Sequence, residues 1–304
     1  EKIVNVNLYA NNSTYNFEND HLPESLRKTY INFDTENNFG ATVVQKPLFD
    51  EFSSTNAFIS GATNSLSLSN FPFTLECEII LPDRGDQTSE NYTSFPSSKS
   101  SIMGIHNIDT SDIANGFMSF GFPGRVLTPI DLCNLQLYVI REKPESLGFK
   151  SAYFQLTGNL GNQEVNLISS FSSSVTGLTR FDDNAYANSK WNLAIRVKPE
   201  KHPFYSSVSG TTHNRKHTLE MYGVRSSSDI VENFFTASVT LDSEDRLLAG
   251  LNSAKAIYAG AHRQDFTGSL LERSDIKLGA VRYWQSYLDD QTINNHSFDS
   301  TNYG

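Results

Sequence analysis

Glu76 and Glu78 are the pair in this 304-residue sequence whose types and spacing best suit acid–base work. On a strand, residues i and i+2 share a face with Cα atoms ~6.6 Å apart. Paired carboxylates at such range can cleave a glycosidic bond, one protonating the leaving oxygen and the other serving as base or nucleophile. The flanking residues point to a plainer outcome. Phe73, Leu75, Cys77 and Ile79 alternate as the apolar side of the same strand, so Glu76 and Glu78 are expected on the solvated side. On that expectation Glu78→Gln costs almost nothing, whereas Leu75→Ala costs about 2–5 kcal/mol.

Two further groups have binding chemistry. The run from Arg180 to Tyr186 gathers Asp182, Asp183, Asn184 and Tyr186 on one loop ahead of a strand. Carboxylate and amide oxygens suit a hard cation such as calcium, and the same planar polar groups beside an aromatic suit a sugar. Asp182 and Asp183 are the calcium candidates; no other cofactor is implied. His262, Arg263 and Asp265 follow a Gly260 turn and, with Tyr258 and Trp284, are expected to form an aromatic-polar rim for a ligand. Because Tyr283 and Trp284 are adjacent on a strand, they point to opposite faces, and one of them must be core. His213 and His217 have the spacing of a helical metal pair, but their surroundings read as loop entering strand. Four strand residues span about 13 Å, too far to share an ion. Arg84-Gly85-Asp86 and the sequons at Asn11, Asn12, Asn91 and Asn295 are expected by frequency in a polar chain. Neither a phosphate loop nor a serine nucleophile elbow is present.

The elements that must position these residues are strands. Period-two alternation picks out 57–59, 65–68, 73–81, 101–105, 117–122, 134–141, 152–156, 164–169, 190–197, 217–224, 235–241, 256–261 and 276–284, each bounded by turn-forming residues. Helical patterning is confined to 23–28 and to 289–296, where an aspartate can cap the first turn. Long loops are expected at 82–99, 107–115, 177–189, 200–216 and 262–274. Cys77 and Cys133 each lie in apolar alternation and read as buried thiols, with a bond between them left open. A net charge of −10 argues against nucleic acid and against an anionic membrane surface. No apolar run has the ~18 residues of a membrane helix, and no basic-then-apolar leader opens the chain. Its start on Glu1 rather than Met is expected of a piece of a longer polypeptide.

The C-terminal stretch carries a resemblance. Residues 256–268 read as a strand ending at a glycine turn and a Phe266-Thr267-Gly268 crossing; Val281-Arg282-Tyr283-Trp284 and a Leu288-Asp289…Ile293 cap follow. This resembles the closing segment of a laminin-G-like, concanavalin A-type jelly roll, except that residues 269–274 are inserted before the last strand. The resemblance implies an all-β fold, an antiparallel β-sandwich jelly roll with minimal helix. It implies residues 51–304 as the jelly-roll domain and 1–50 as an N-terminal extension or edge strap. The wording from Gly260 to Tyr303 also resembles modules of large tailed-phage virion proteins. That implies a non-enzymatic structural or adhesive module on a virion, or alternatively an extracellular or cell surface. Its partners would be other subunits or domains of a larger assembly and a surface glycan, with no nucleic acid and no membrane insertion. The alternative is a glycoside hydrolase or lyase using Glu76 and Glu78. Laminarinase-type hydrolases on this fold carry a Glu-x-Asp-x-x-Glu run; here the middle acid is Glu78, and Ile80 and Leu81 stand where the third would fall.

Overall fold

The computed structural model describes four short N-terminal strands by their backbone and then residues 72–83, 99–108, 134–141, 150–160, 163–173, 177–200, 216–227, 229–242, 254–263, 270–272, 274–284 and 286–299. Within these, the strands in chain order are β1 Asn7–Ala10, β2 Phe17–Glu18, β3 Tyr30–Phe33, β4 Ala41–Val44, β5 Phe73–Leu81, β6 Lys99–Ile108, β7 Asn134–Ile140, β8 Tyr153–Leu160 and β9 Gln163–Ile168. They continue as β10 Phe171–Ser173, β11 Gly177–Thr179, β12 Ser189–Pro199, β13 Lys216–Ser227, β14 Ile230–Asp242, β15 Ala254–Ala259, β16 His262–Arg263, β17 Leu270–Glu272 and β18 Ile276–Trp284, followed by helix α1, Asp290–Phe298.

Two seven-stranded antiparallel sheets make an all-β sandwich. The β5 sheet runs β14-β13-β12-β5-β18-β3-β2, and the β7 sheet runs β1-β4-β15-β6-β7-β8-β9. The small pairs β10–β11 and β16–β17 stand apart from both. Of the expected strands, 57–59, 65–68 and 117–122 lie outside the described residues, as do the 23–28 helix, His213, Cys133 and the Arg84 loop. The remaining ten fall on observed strands, and 276–284 coincides with β18. Two expected loops differ: 177–189 contains β11 and 262–274 contains the β16–β17 pair. β11 and β17 are three residues long and β16 two, and each sits among turn-forming residues, which is why alternation does not set them apart from loop. β4 pairs with β15, and β3 with β18, so segments from the first 44 residues extend both sheets.

The layers bury alternate residues against each other. Leu75, Cys77 and Ile79 of β5 and Leu193 and Ile195 of β12 meet Leu135, Leu137 and Val139 of β7 and Phe154 and Leu156 of β8. Cys77 is a buried free thiol, its pKa pushed up by desolvation and then by Glu76 and Glu78. At one end Phe154 lies edge-on to Trp191 at 4.9 Å and stacks on Phe235 at 5.2 Å. Gly223 makes room for that ring: a Cβ there would come within 2.3 Å of Phe235. On β18 a bulge between Leu278 and Val281 keeps Leu278, Val281 and Tyr283 on the inner side. Tyr283 is therefore interlayer core, stacked 5.7 Å from Phe73, and Trp284 faces outward.

Candidate functional site

The outer side of β5 is not solvated, contrary to the expectation from its alternation. All nine β5 residues are buried, because α1 and the segment before it pack across the β5 sheet. The alternation identified the inner face correctly, but polarity on the other face marks a second, polar interior. Glu76 is fully buried. Its carboxylate accepts hydrogen bonds from Asn192 Nδ2 at 2.6 Å, Arg282 at 3.1 Å, Trp284 Nε1 at 3.1 Å and His296 Nδ1 at 2.9 Å. Trp284 and His296 stack at 5.3 Å. Glu78 is buried with Lys190 Nζ 3.8 Å away, and that ammonium donates to the Ser297 carbonyl. Neither carboxylate meets solvent, so a substrate cannot reach them.

Beside this network Arg196, fully buried, donates to the Leu288 carbonyl at 3.0 Å, to Asp290 at 2.7 Å and to Glu220 at 2.5 Å. Its guanidinium lies 4.9 Å from the ring centroids of Tyr222 and Tyr287, which sandwich it. Desolvation pushes both phenols up to about 12. Asp289 caps α1 by accepting from the Thr292 amide at 2.7 Å, and the Thr292 side chain, then that amide, hold its carboxyl below the usual range. The outer face of the β5 sheet is thus occupied from β18 across to β13 by the chain's own C-terminal segment.

The outer face of the β7 sheet is different. Register aligns Tyr258, Gly104, Gln136, Thr157 and Asn166 in one row across β15, β6, β7, β8 and β9. A second row pairs Tyr138 with Gln155. Gln155 Nε2 donates to Asn166 Oδ1 at 2.8 Å, and these amides are solvent-accessible or partly so. Aromatic groups bound the face on two sides. On one, Tyr258 lies flat over Gly104, where a Cβ would come within 2.2 Å of its ring, and stacks on His262 at 4.8 Å. Gln136 Nε2 meets His262 Nε2 at 3.3 Å, and Tyr138 donates to Gln136 Oε1. Lys99 Nζ sits 3.9 Å over the Tyr138 ring and 3.1 Å from Glu272. Burial, then Lys99, lowers the His262 pKa to about 4. The imidazole is neutral at pH 7, and its Nε2 accepts from the amide. On the other side Tyr153 packs edge-on against Phe181 at 5.4 Å, with the Arg180 guanidinium 4.9 Å above Tyr153.

The two sequence-predicted loop groups therefore flank one sheet face. Within the first, Asp182 and Tyr186 are interior residues. Asp182 accepts from Arg225 and Asn233 at 2.6 Å each and from the Asn184 amide at 2.9 Å. Tyr186 belongs to the core, with Arg141 4.6 Å over its ring. Asp183 and Asn184 are exposed, and Asp183 accepts from Ser151 at 3.2 Å. Within the second, His262 is buried against Tyr258; Arg263 is placed by its β16 backbone only, and Asp265 lies outside the described residues. Trp284 is on the other sheet and does not join this rim. Among the described residues no group of three or more His, Cys, Asp or Glu is arranged to hold a metal ion. Sequence reasoning missed Gln136, Gln155 and Asn166, whose signal was the polar half of the alternation in β7, β8 and β9.

No protein-family model and no curated protein matches the chain. Solved structures similar to it include full-length tailspike protein 2 of Escherichia coli O157:H7 bacteriophage CAB120, at 9% identity and TM-score 0.42 over 91% of this chain and 25% of that one. The binding domain of botulinum neurotoxin serotype D/C VPI 5993 is similar at 12% identity and TM-score 0.39, over 98% of this chain and 48% of that one. The Ruminococcus gnavus IT-sialidase CBM40 bound to α2,3-sialyllactose is similar at 10% identity and TM-score 0.34, over 76% of this chain and 84% of that one. The chain spans about a quarter of the tailspike and about half of the toxin domain. These likenesses assign no function to it.

Proposed function

We propose that the chain is a non-enzymatic structural and adhesive module of a larger virion protein, and that it holds glycan on the outer face of the β7 sheet. The observation that supports this is the composition of that face. Gln136, Gln155, Thr157 and Asn166 offer paired donors and acceptors of the kind that sugar hydroxyls match, on rigid strands between Tyr258 with His262 and Tyr153 with Phe181. Asp183 and Asn184 stand at its edge as oxygen groups for a further glycan or calcium contact. The jelly-roll reading of the laminin-G and concanavalin A kind rests on the C-terminal motifs, as does the division at residue 50 and the virion setting. A hydrolase or lyase acting through Glu76 and Glu78 lacks an exposed carboxylate. The test is a glycan array probed with the wild-type chain and with Gln155→Ala and Asn166→Ala. We expect binding to a restricted set of glycans that each variant weakens about tenfold, the ~1–1.5 kcal/mol of a lost hydrogen bond. A wild-type chain that bound nothing would overturn the adhesive half of the proposal.

A further inference from the structure

We infer that the glycan held on the β7-sheet face is an acidic one whose carboxylate is read by Arg180; this rests on the glycan reading of that face. Arg180 is exposed, and its guanidinium lies 4.9 Å from the Tyr153 ring centroid and 5.0 Å from that of Phe181. Both rings are buried beneath it. Its backbone is fastened as well. Ser169 Oγ donates to the Arg180 carbonyl at 3.0 Å and accepts from the Phe154 N–H at 3.0 Å, which ties Arg180 to β8. Beyond Phe181, Asp182 and Ala152 exchange backbone hydrogen bonds at 2.8 and 3.0 Å. A side chain seated on an aromatic pair loses less freedom on meeting a ligand than an arginine swinging in water. Its five N–H donors form the planar fork that meets a carboxylate through two parallel bonds.

The neighbours of Arg180 complete a subsite. Tyr153 and Gln155 share the outer face of β8, their Cα atoms ~6.6 Å apart, and Gln155 lies across from Ile168 of β9. Gln155 Nε2 is taken by Asn166 Oδ1, which leaves Gln155 Oε1 to accept and Asn166 Nδ2 to donate close to the fork. Ile168, half-buried on the same face, supplies an apolar patch for the C–H side of a sugar ring. β9 is the edge strand of its sheet, and Gln163 steadies it. That side chain accepts from the Asp242 N–H at 2.8 Å and donates to the Asp242 carbonyl at 2.7 Å. Charge sets the direction of the ligand. A net charge of −10 repels an anion at long range, so the acid must be held by contact. Lys99 is matched by Glu272 and Lys150 by Asp83, each at 3.1 Å. The acids on the Arg180 loop are engaged too, Asp182 with Arg225 and Asn233, and Asp183 with Ser151. At the far end Glu164, exposed two residues from Asn166 on the same face, opposes a second acid. The ligand so defined places one carboxylate over Arg180 and neutral hydroxyls or amides along Gln155 and Asn166. Sialic acids and hexuronic acids share that chemistry.

The experiment is calorimetric titration of the 304-residue chain with matched pairs, each a carboxylated glycan and its methyl ester, in a sialylated and a hexuronate series. At least one series is expected to bind, the acid about ten- to a hundredfold tighter than its ester, the range for a hydrogen-bonded charge. The series that binds names the acid. This comparison needs no variant, so a folding defect cannot imitate it. Arg180→Gln should bring the acid down to the level of its ester. Arg180→Lys, a point charge without the fork, should keep only part of the preference. Gln155→Ala should weaken acid and ester alike. Equal binding of acid and ester, or a preference that survives Arg180→Gln, would overturn the inference and leave the glycan reading standing. Acid binding untouched by Gln155→Ala would overturn it too, by placing the ligand elsewhere. A wild type that bound neither acids nor esters would remove both the inference and the reading beneath it.

Discussion

Glu76 shows at the residue scale how a carboxylate with catalytic spacing becomes a structural anion. Four donors converge on it in a space closed to water. Removing its charge takes a buried carboxylate from Arg282 and turns an acceptor into an amide facing donors. Glu76→Gln is therefore expected to cost about 3–5 kcal/mol in chemical denaturation, the range for breaking one side of a buried pair. Glu78→Gln, also buried, should cost about 1–3 kcal/mol rather than nothing. His262 predicts an acid effect with a defined sign. Its folded pKa of about 4 lies below the ordinary 6.5, so the unfolded chain takes up the proton first as pH falls. The stability it contributes is whole above pH 6.5 and is lost on descending to about 4, by roughly 3 kcal/mol. Urea midpoints measured across that window should fall less steeply in His262→Gln.

At the element scale, strand existence was legible wherever alternation ran for five residues or more, as in β5, β12, β13 and β18. The inner face of each was legible too, since Leu75, Cys77 and Ile79 alternate cleanly. The fate of the outer face was not, because polar residues at alternate positions look the same under water as under a helix. What distinguishes them is the tail about 200 residues away that supplies Arg282, Trp284 and His296. The α1 start was legible because Asp289 is a residue that caps. Asp289→Ala should lower stability by about 1 kcal/mol and speed amide exchange in α1 before any other element. The Gln163 tie to Asp242 was not legible: a glutamine that imitates a strand partner has no local signature. The candidate site was half legible. Its flanking loops were marked by clustered aromatics and carboxylates, whereas its floor of amides depends on the register of three strands.

For the whole molecule, the two sheets have unequal outer surfaces. One is sealed by the protein's own C-terminal segment and the other is left polar and partly open, which is why the proposed glycan face is the second. Leu75→Ala, at the centre of the interlayer core, should cost about 2–5 kcal/mol and lower the melting temperature without altering affinity for any glycan. Gln155→Ala should do the reverse. A pair of variants that moved stability and affinity together would show that the platform and the core are not separable.

The bonds between Glu76 and His296 span 220 positions, and this has a consequence for biosynthesis. While a ribosome is still holding the last stretch of the chain, β5 can pair with its neighbours but its acidic face must stay wet. Closure waits until α1 emerges, so arrested nascent chains lacking residues 289–299 should be cut readily by protease at a stage when the earlier strands are already complete.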